Sequence, residues 1–168
     1  MQLDVPDADE AAFRGFRTCE FATIAGDGTP IVWPAIPLWL PERSQFLLTT
    51  SIGLPQKALN IRRDPHVSLL FSNPTGSGLE RPPAVLVQGD ATVSDEVTTW
   101  NDDLAMFWPH LYRVQPFGKI YTANRLTRWF MDWYFMRLLI HVTPRSIRWW
   151  PDGDVAWAPE TVEVAHVG

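Results

Sequence analysis

The chain is poor in cysteine. Cys19 is the one thiol among 168 residues, which excludes an internal disulfide framework and a cysteine-based metal knuckle. Nothing around it marks an activated nucleophile, so it reads as a buried structural thiol. Long apolar runs are also missing. The most apolar stretch, residues 129–142, is short and broken by Asp132 and Arg137, whereas a membrane-spanning helix needs about 20 apolar residues. A basic stripe is missing as well. The 14 Lys and Arg are scattered among 19 Asp and Glu, for a net charge of −5, which argues against a nucleic-acid partner. Residues 1–7 are acidic with no apolar core, so no secretory leader is expected there, and the expected location is the cytoplasm. Repeats and low-complexity tracts are absent.

What the chain does have is a globular composition, 46% hydrophobic, at a length that fits one domain covering 1–168. Such a domain buries about two-thirds of its unfolded surface and holds a core without covalent staples. Fifteen prolines and nine tryptophans stand out. The prolines favour turns, strand edges and helix starts over long helices. The tryptophans suit a core, an interface or a pocket for a flat ring.

Residues 8–18 read as a short helix and residues 20–25 as an alternating strand. Asp27-Gly28 marks a tight hairpin turn. Residues 31–40 form a second strand, with Pro34 and Pro37 requiring an edge, a bend or a bulge. Residues 46–50 are a third strand, and residues 56–63 a short helix that Pro55 starts and Pro65 ends. Residues 67–71 and 84–93 are further strands. Ser94-Asp95-Glu96 suggests a helix cap, with the helix running through 98–107 to Pro109. Leu126, Trp129, Phe130, Trp133 and Tyr134 recur at helical spacing. Residues 137–142 and 147–150 read as two strands joined by a turn at 143–146. The sum is a mainly β chain with a helical insert at about 94–136, its strands at about 20–93 and 137–157 closing into an antiparallel barrel.

Three stretches carry a resemblance. They are Phe21-Ala22-Thr23-Ile24 through Gly28, Pro30 and Pro34; Thr49-Thr50-Ser51, Lys57 and Asn60 through Pro65 and Phe71; and Pro82 through Gly89 and Ala91. With Leu138 through Pro144 and Ile147-Arg148-Trp149-Trp150, their order and spacing resemble the FMN-binding split barrels of the pyridoxamine 5′-phosphate oxidase superfamily. The resemblance implies an antiparallel split β-barrel, a homodimer, and two cofactor sites at its interface. It puts the backbone of Val32, Trp33, Pro34 and Ala35 along the flavin ring. It puts Thr49, Thr50, Ser51 and Lys57, with Gln56 as a further candidate, around the ribityl phosphate. Hydroxyls, a cation and a helix start are the donors a phosphate wants; the bland alternative is a polar loop with a solvated lysine. The chain ends Ala165-His166-Val167-Gly168, without the Arg-Leu-x-Pro ending of true pyridoxamine phosphate oxidases. It therefore resembles the divergent branches: FMN proteins, reductases using the deazaflavin coenzyme F-420, and haem or tetrapyrrole binders. The implied function is a flavin- or deazaflavin-dependent oxidoreductase with FMN, or alternatively F-420, acting on a small, flat, hydrophobic substrate. A non-catalytic flavin or haem binder is the alternative.

The remaining candidates weigh toward structure. His66, His110, His141 and His166 form no metal-binding spacing; one of the first three would matter as an axial ligand if a haem were bound. Asp102-Asp103 diverge by about 100° on a helix and read as a solvated face. Arg62 and Arg63 read as solvated cations at a helix end. Ser77 lies in a glycine loop that suits a lid. The aromatics from Trp100 to Phe135 suit a core, an interface or a substrate wall, with Arg125 and Arg128 able to meet an acidic substituent.

Overall fold

The computed structural model describes residues 7–116 and 132–163. Its strands are β1 (Cys19–Ile24), β2 (Pro30–Ala35), β3 (Leu38–Leu40), β4 (Gln45–Ser51), β5 (His66–Phe71), β6 (Ala84–Val93), β7 (Arg137–Trp150) and β8 (Glu160–Glu163). The helices are α1 (Asp7–Gly15), α2 (Gln56–Arg63), α3 (Asp102–Val114) and the single turn α4 (Asp132–Phe135).

The strand order is β2-β1-β5-β6-β7-β4-β3, with β8 added beside β7, and every pairing is antiparallel. Chain connectivity dictates the shape. Only Ile36 and Pro37 separate β2 from β3, yet these strands stand at opposite ends of the order. Such a link reaches about 11 Å, whereas a flat sheet of seven strands at about 4.8 Å spacing is about 29 Å wide. The sheet must therefore curl until its edges meet, and the fold is a split barrel. The strand expected over 31–40 is broken at this link, where Pro37 ends one edge and begins the other.

Two further expectations fail. The turn expected at 143–146 is absent: β7 runs unbroken for 14 residues. Opposite Pro144 stands Gly89, and the β6–β7 register shifts between Gln88 and Gly89. A Cβ on Gly89 would lie 2.2 Å from the Thr143 carbonyl oxygen. The bulge absorbs the proline's missing N–H, so the ladder continues. The helix expected over 98–107 lies further along. Asn101, whose side chain accepts the Leu104 N–H at 2.9 Å, caps α3. Pro109 lies inside it, exposed, while Leu104, Phe107, Trp108 and Leu111 on the other face are buried. Packing of that face outweighs the roughly 3 kcal/mol a mid-helix proline costs. Ser94 instead receives the Leu139 N–H at 3.0 Å and donates to Glu96 O, tying β7 down.

Two cores follow from the period of two along the strands. Phe21, Phe46, Leu48, Leu69, Phe71, Val85, Val87, Ile140 and Val142 fill the barrel. Helix α1 plugs one end of it: Phe13 packs edge-on against Phe46 at 4.8 Å and tilted against Trp39 at 5.3 Å. On the outer face, Leu47 and Leu139 meet the buried stripe of α3. Cys19 is buried in the barrel core, where burial pushes its thiol well up.

Candidate functional site

A cavity of about 670 Å³ opens where β2 approaches β4 and β7 across the split, within the range of small-ligand sites. Its apolar wall includes Pro34, Ala35, Ile36, Leu48, Phe107, Leu111 and Ile140. Its charged groups are all cationic among the described residues. Arg17, Lys57 and Arg137 line it, and among the described residues no aspartate, glutamate, histidine or cysteine does. In a chain of net charge −5, that concentration of positive charge is a local device and not a reflection of composition.

Arg137 is the centre of the arrangement. It opens β7, and its backbone is pinned by two hydrogen bonds of 2.8 Å with Thr98. Its guanidinium lies 4.3 Å from the Tyr134 ring centroid and 5.1 Å from that of Trp108, a geometry suited to cation–π attraction. Nη1 reaches Thr49 Oγ1 at 3.5 Å. Nε and Nη2 are buried with no hydrogen-bond partner among the described residues. Burial lowers the basicity of the group, and the tyrosines 134 and 112 offset this. Lys57, in the first turn of α2, lies 4.8 Å from the Trp33 ring centroid. Its basicity falls first through burial and then through the Arg137 charge. Two partly dehydrated cations thus face the same space with no carboxylate between them. Trp33 Nε1 is a further buried donor without a described partner.

The residues expected around a phosphate divide. Thr49 and Lys57 line the cavity, as do Pro34 and Ala35. Val32 projects outward at 58% exposure, and Trp33 stands beside Lys57 without lining the cavity. Thr50, on the other face of β4, donates to Leu54 O at 2.6 Å, and Ser51 Oγ accepts the Gly53 N–H at 3.3 Å. These two hydroxyls shape the loop into α2. Gln56 is exposed and donates to Asn60 Oδ1 at 2.8 Å. Pro55 is the N-cap of α2 and makes no side-chain capping bond.

Other candidates are accounted for elsewhere. Arg62 and Arg63 are exposed, donating to Ser94 O at 2.9 Å and Ile24 O at 3.1 Å. Asp103 is not solvated: it receives Arg43 at 2.7 Å and His141 at 2.8 Å. His66 meets Asp64 at 2.6 Å on the surface. His110 is buried and donates from Nε2 to Pro37 O at 2.9 Å. None of these three imidazoles lines the cavity, and among the described residues no His, Cys, Asp and Glu cluster is arranged to hold a metal. Arg125, Arg128, His166, Phe117, Tyr121, Trp129 and Phe130 lie outside the described residues. Sequence reasoning missed Arg137 as a site residue and took it only as a strand start. It also missed Arg17, Asn73 and Thr75, which complete the mouth.

No protein-family model and no curated protein matches this sequence. Solved structures do match its fold. A conserved hypothetical protein from Mycobacterium tuberculosis is 22% identical, with 99% of this chain and 98% of that one covered at a TM-score of 0.61. A general stress protein 26-related protein of the pyridoxinephosphate oxidase family from Clostridium acetobutylicum is 9% identical over 93% and 92% of the two chains, at 0.57. An F420 reductase is 19% identical over 85% and 98%, at 0.55. What these structures share with this chain is the fold, an antiparallel split barrel. Among the described residues no helix is long and apolar enough to cross a membrane.

Proposed function

We propose that the chain is an oxidoreductase that holds FMN, or alternatively the deazaflavin F-420, in the cavity beside β2. The observation that carries this reading is a cavity with no acid among its described lining residues, in which Lys57 and Arg137 stand partly dehydrated and two Arg137 nitrogens have no described partner. A buried cation without a counter-charge is costly, and a phosphate-bearing ligand supplies that charge. Lys57, Arg137 and Thr49 would take the phosphate, while Pro34 and Ala35 present a flat wall for a ring. Bound there, such a cofactor supplies hydride transfer. The chain's own part is to orient the ring and to keep water from its face with Phe107 and Leu111. The described lining residues offer no carboxylate or imidazole as general acid or base, and hydride transfer requires none.

The exposed apolar side chains Leu54 (66%), which lines the cavity, and Val32 (58%), on the strand whose Pro34 and Ala35 line it, support a second copy closing over the site. A flat, apolar substrate suits the wall formed by α3. A non-catalytic flavin binder is the second reading, favoured by the same lack of titrating groups. A haem reading lacks an axial ligand among the residues lining the cavity.

The test is titration of the purified protein with FMN and then F-420, followed by absorbance and fluorescence. Saturable binding of either, weakened at least tenfold in Lys57→Ala, is expected. No binding of either sinks the proposal. A bound cofactor that no electron acceptor reoxidises faster than the free cofactor moves the case to storage.

A further inference from the structure

Beside the main cavity lies a second, smaller one of about 260 Å³, lined by Arg14, Gly15, Arg17, Gly76, Ser77, Arg113 and Val114. The two share Arg17 and Val114 as a common wall. Three arginines surround this small space, and among the described residues no carboxylate lines it.

The three are held differently. Arg14 is neutralised on its own helix by Glu10 at 2.7 Å. Arg17 spends Nε on the carbonyl of Gly76 at 3.0 Å. Gly76 has φ +74°, and a Cβ there would come within 2.7 Å of that guanidinium. A side chain at 76 would therefore displace Arg17, and only glycine combines this backbone with that contact. Arg113 donates from Nη2 to His110 Nδ1 at 3.0 Å. His110 already donates from Nε2 to Pro37 O, so its Nδ1 must accept. Burial and Arg113 itself both hold that imidazole neutral. Arg17 and Arg113 are thus fixed in place by neutral partners, with no carboxylate recorded against either charge among the described residues.

We propose that this small cavity is a second anion subsite, apart from the Lys57–Arg137 pair, and that it takes an acidic group of the substrate. The inference rests on the cofactor reading of the main cavity. Guanidinium groups grip carboxylates and phosphates with paired N–H donors. The space admits such a group, but Val114 is the one apolar side chain in its described lining, so an apolar body is better housed across the shared wall, against the apolar residues of the larger cavity. The substrate class is a flat, apolar body bearing one acidic group.

The test compares 2-naphthoate with its neutral isostere 2-naphthamide by calorimetry on the cofactor-saturated protein. Both arginines are exposed, so the expected preference for the acid is about tenfold, between that of a solvated ion pair and that of a buried charged hydrogen bond. It should fall below twofold in Arg113→Gln and in Arg17→Gln, and return only in part in Arg113→Lys, which keeps the charge without the paired donors. Arg113 lines only the small cavity, so Arg113→Gln should leave cofactor affinity within twofold. Equal binding of the two probes in the wild type overturns the proposal. So does a preference that survives both substitutions, which would put the carboxylate elsewhere. A tenfold loss of cofactor affinity in Arg113→Gln also overturns it, since the acidic group would then be the cofactor's own. If neither FMN nor F-420 binds, the cofactor reading falls. The same probe pair on the empty protein, with and without Arg113→Gln, then reads the small cavity alone, since Arg113 does not line the main one, and a preference unchanged by that substitution overturns the subsite.

Discussion

Replacing Arg137 by methionine separates the needs of the fold from the needs of the site. In the empty protein the guanidinium is buried with Nε and Nη2 unpartnered among the described residues. Isolated burial of a cation costs several kcal/mol. Contacts with Tyr134 and Trp108 return up to about 2 kcal/mol each where they are desolvated. Methionine removes the charge and recovers part of the ring contact, at about 0.3–1.5 kcal/mol per sulfur–aromatic pair. The two sides nearly cancel, so thermal unfolding of the empty variant is expected within about 4 °C of wild type, at roughly 2–4 °C per kcal/mol for this size. Ligand binding has no such compensation. A hydrogen bond to a charged group is worth about 1.5–3 kcal/mol, or about 10- to 150-fold in affinity. Fluorescence titration with FMN and F-420 should show that loss. A variant that unfolds 10 °C lower yet binds as tightly as wild type would mean that Arg137 is a structural strut, and the reasoning about an unmet charge would be wrong.

Three other outcomes follow from the geometry. Asp9 is fully buried on α1 with neither carboxylate oxygen partnered among the described residues. Burial, then Glu160, pushes its carboxyl up to about 7. Because the folded state holds the proton more tightly, stability is full below about pH 4 and is lost as pH rises toward 7; Asp9→Asn should therefore stabilise the protein by about 1–3 kcal/mol at pH 8 and by much less at pH 4. Denaturant midpoints at the two pH values check this, and equal gains at both would refute it. Gly89→Ala puts a methyl group 2.2 Å from a backbone carbonyl oxygen, and should cost more than about 3 kcal/mol in urea unfolding, whereas Gly28→Ala, with open space around it, should cost about 1–2 kcal/mol through its positive φ alone. Val32→Asp, at an exposed edge position, should shift the sedimentation coefficient from dimer to monomer; a wild-type protein that is monomeric removes the interface from the proposed function.

Local signals carried much of the architecture. The Asp-Gly turn and the alternation around it located β1 and the start of β2, and Pro55 with Pro65 bracketed α2 to the residue. The failures came where tertiary packing overrules a proline. Pro109 stays inside α3 because the buried stripe of that helix decides its extent. Pro144 stays inside β7 because a glycine 55 positions earlier in the chain accepts it. The site was legible only in part. Thr49 and Lys57 are close in sequence and line one cavity, but Arg137 meets Thr49 across 88 positions, and its unmet donors exist only once Trp108 and Tyr134 close around it. Which hydroxyls turn inward also escaped the sequence, because the period of two sends Thr49 and Thr50 to opposite faces.

The link at Ile36–Pro37 joins the barrel's two edges through covalent bonds, and Pro34, Ala35 and Ile36 beside it form one wall of the cavity. That wall is a seam under tether. A bulky guest cannot prise it apart gradually, because two linking residues have no slack to give. The neighbouring stitch is a short one at the sheet's edge: β3 holds β4 through three residue pairs, Leu38–Leu47 to Leu40–Gln45. Widening of the pocket should therefore proceed by unzipping those three pairs together, so that the amides of residues 38–40 exchange with solvent in step with ligand entry while the long β6–β7 ladder stays closed.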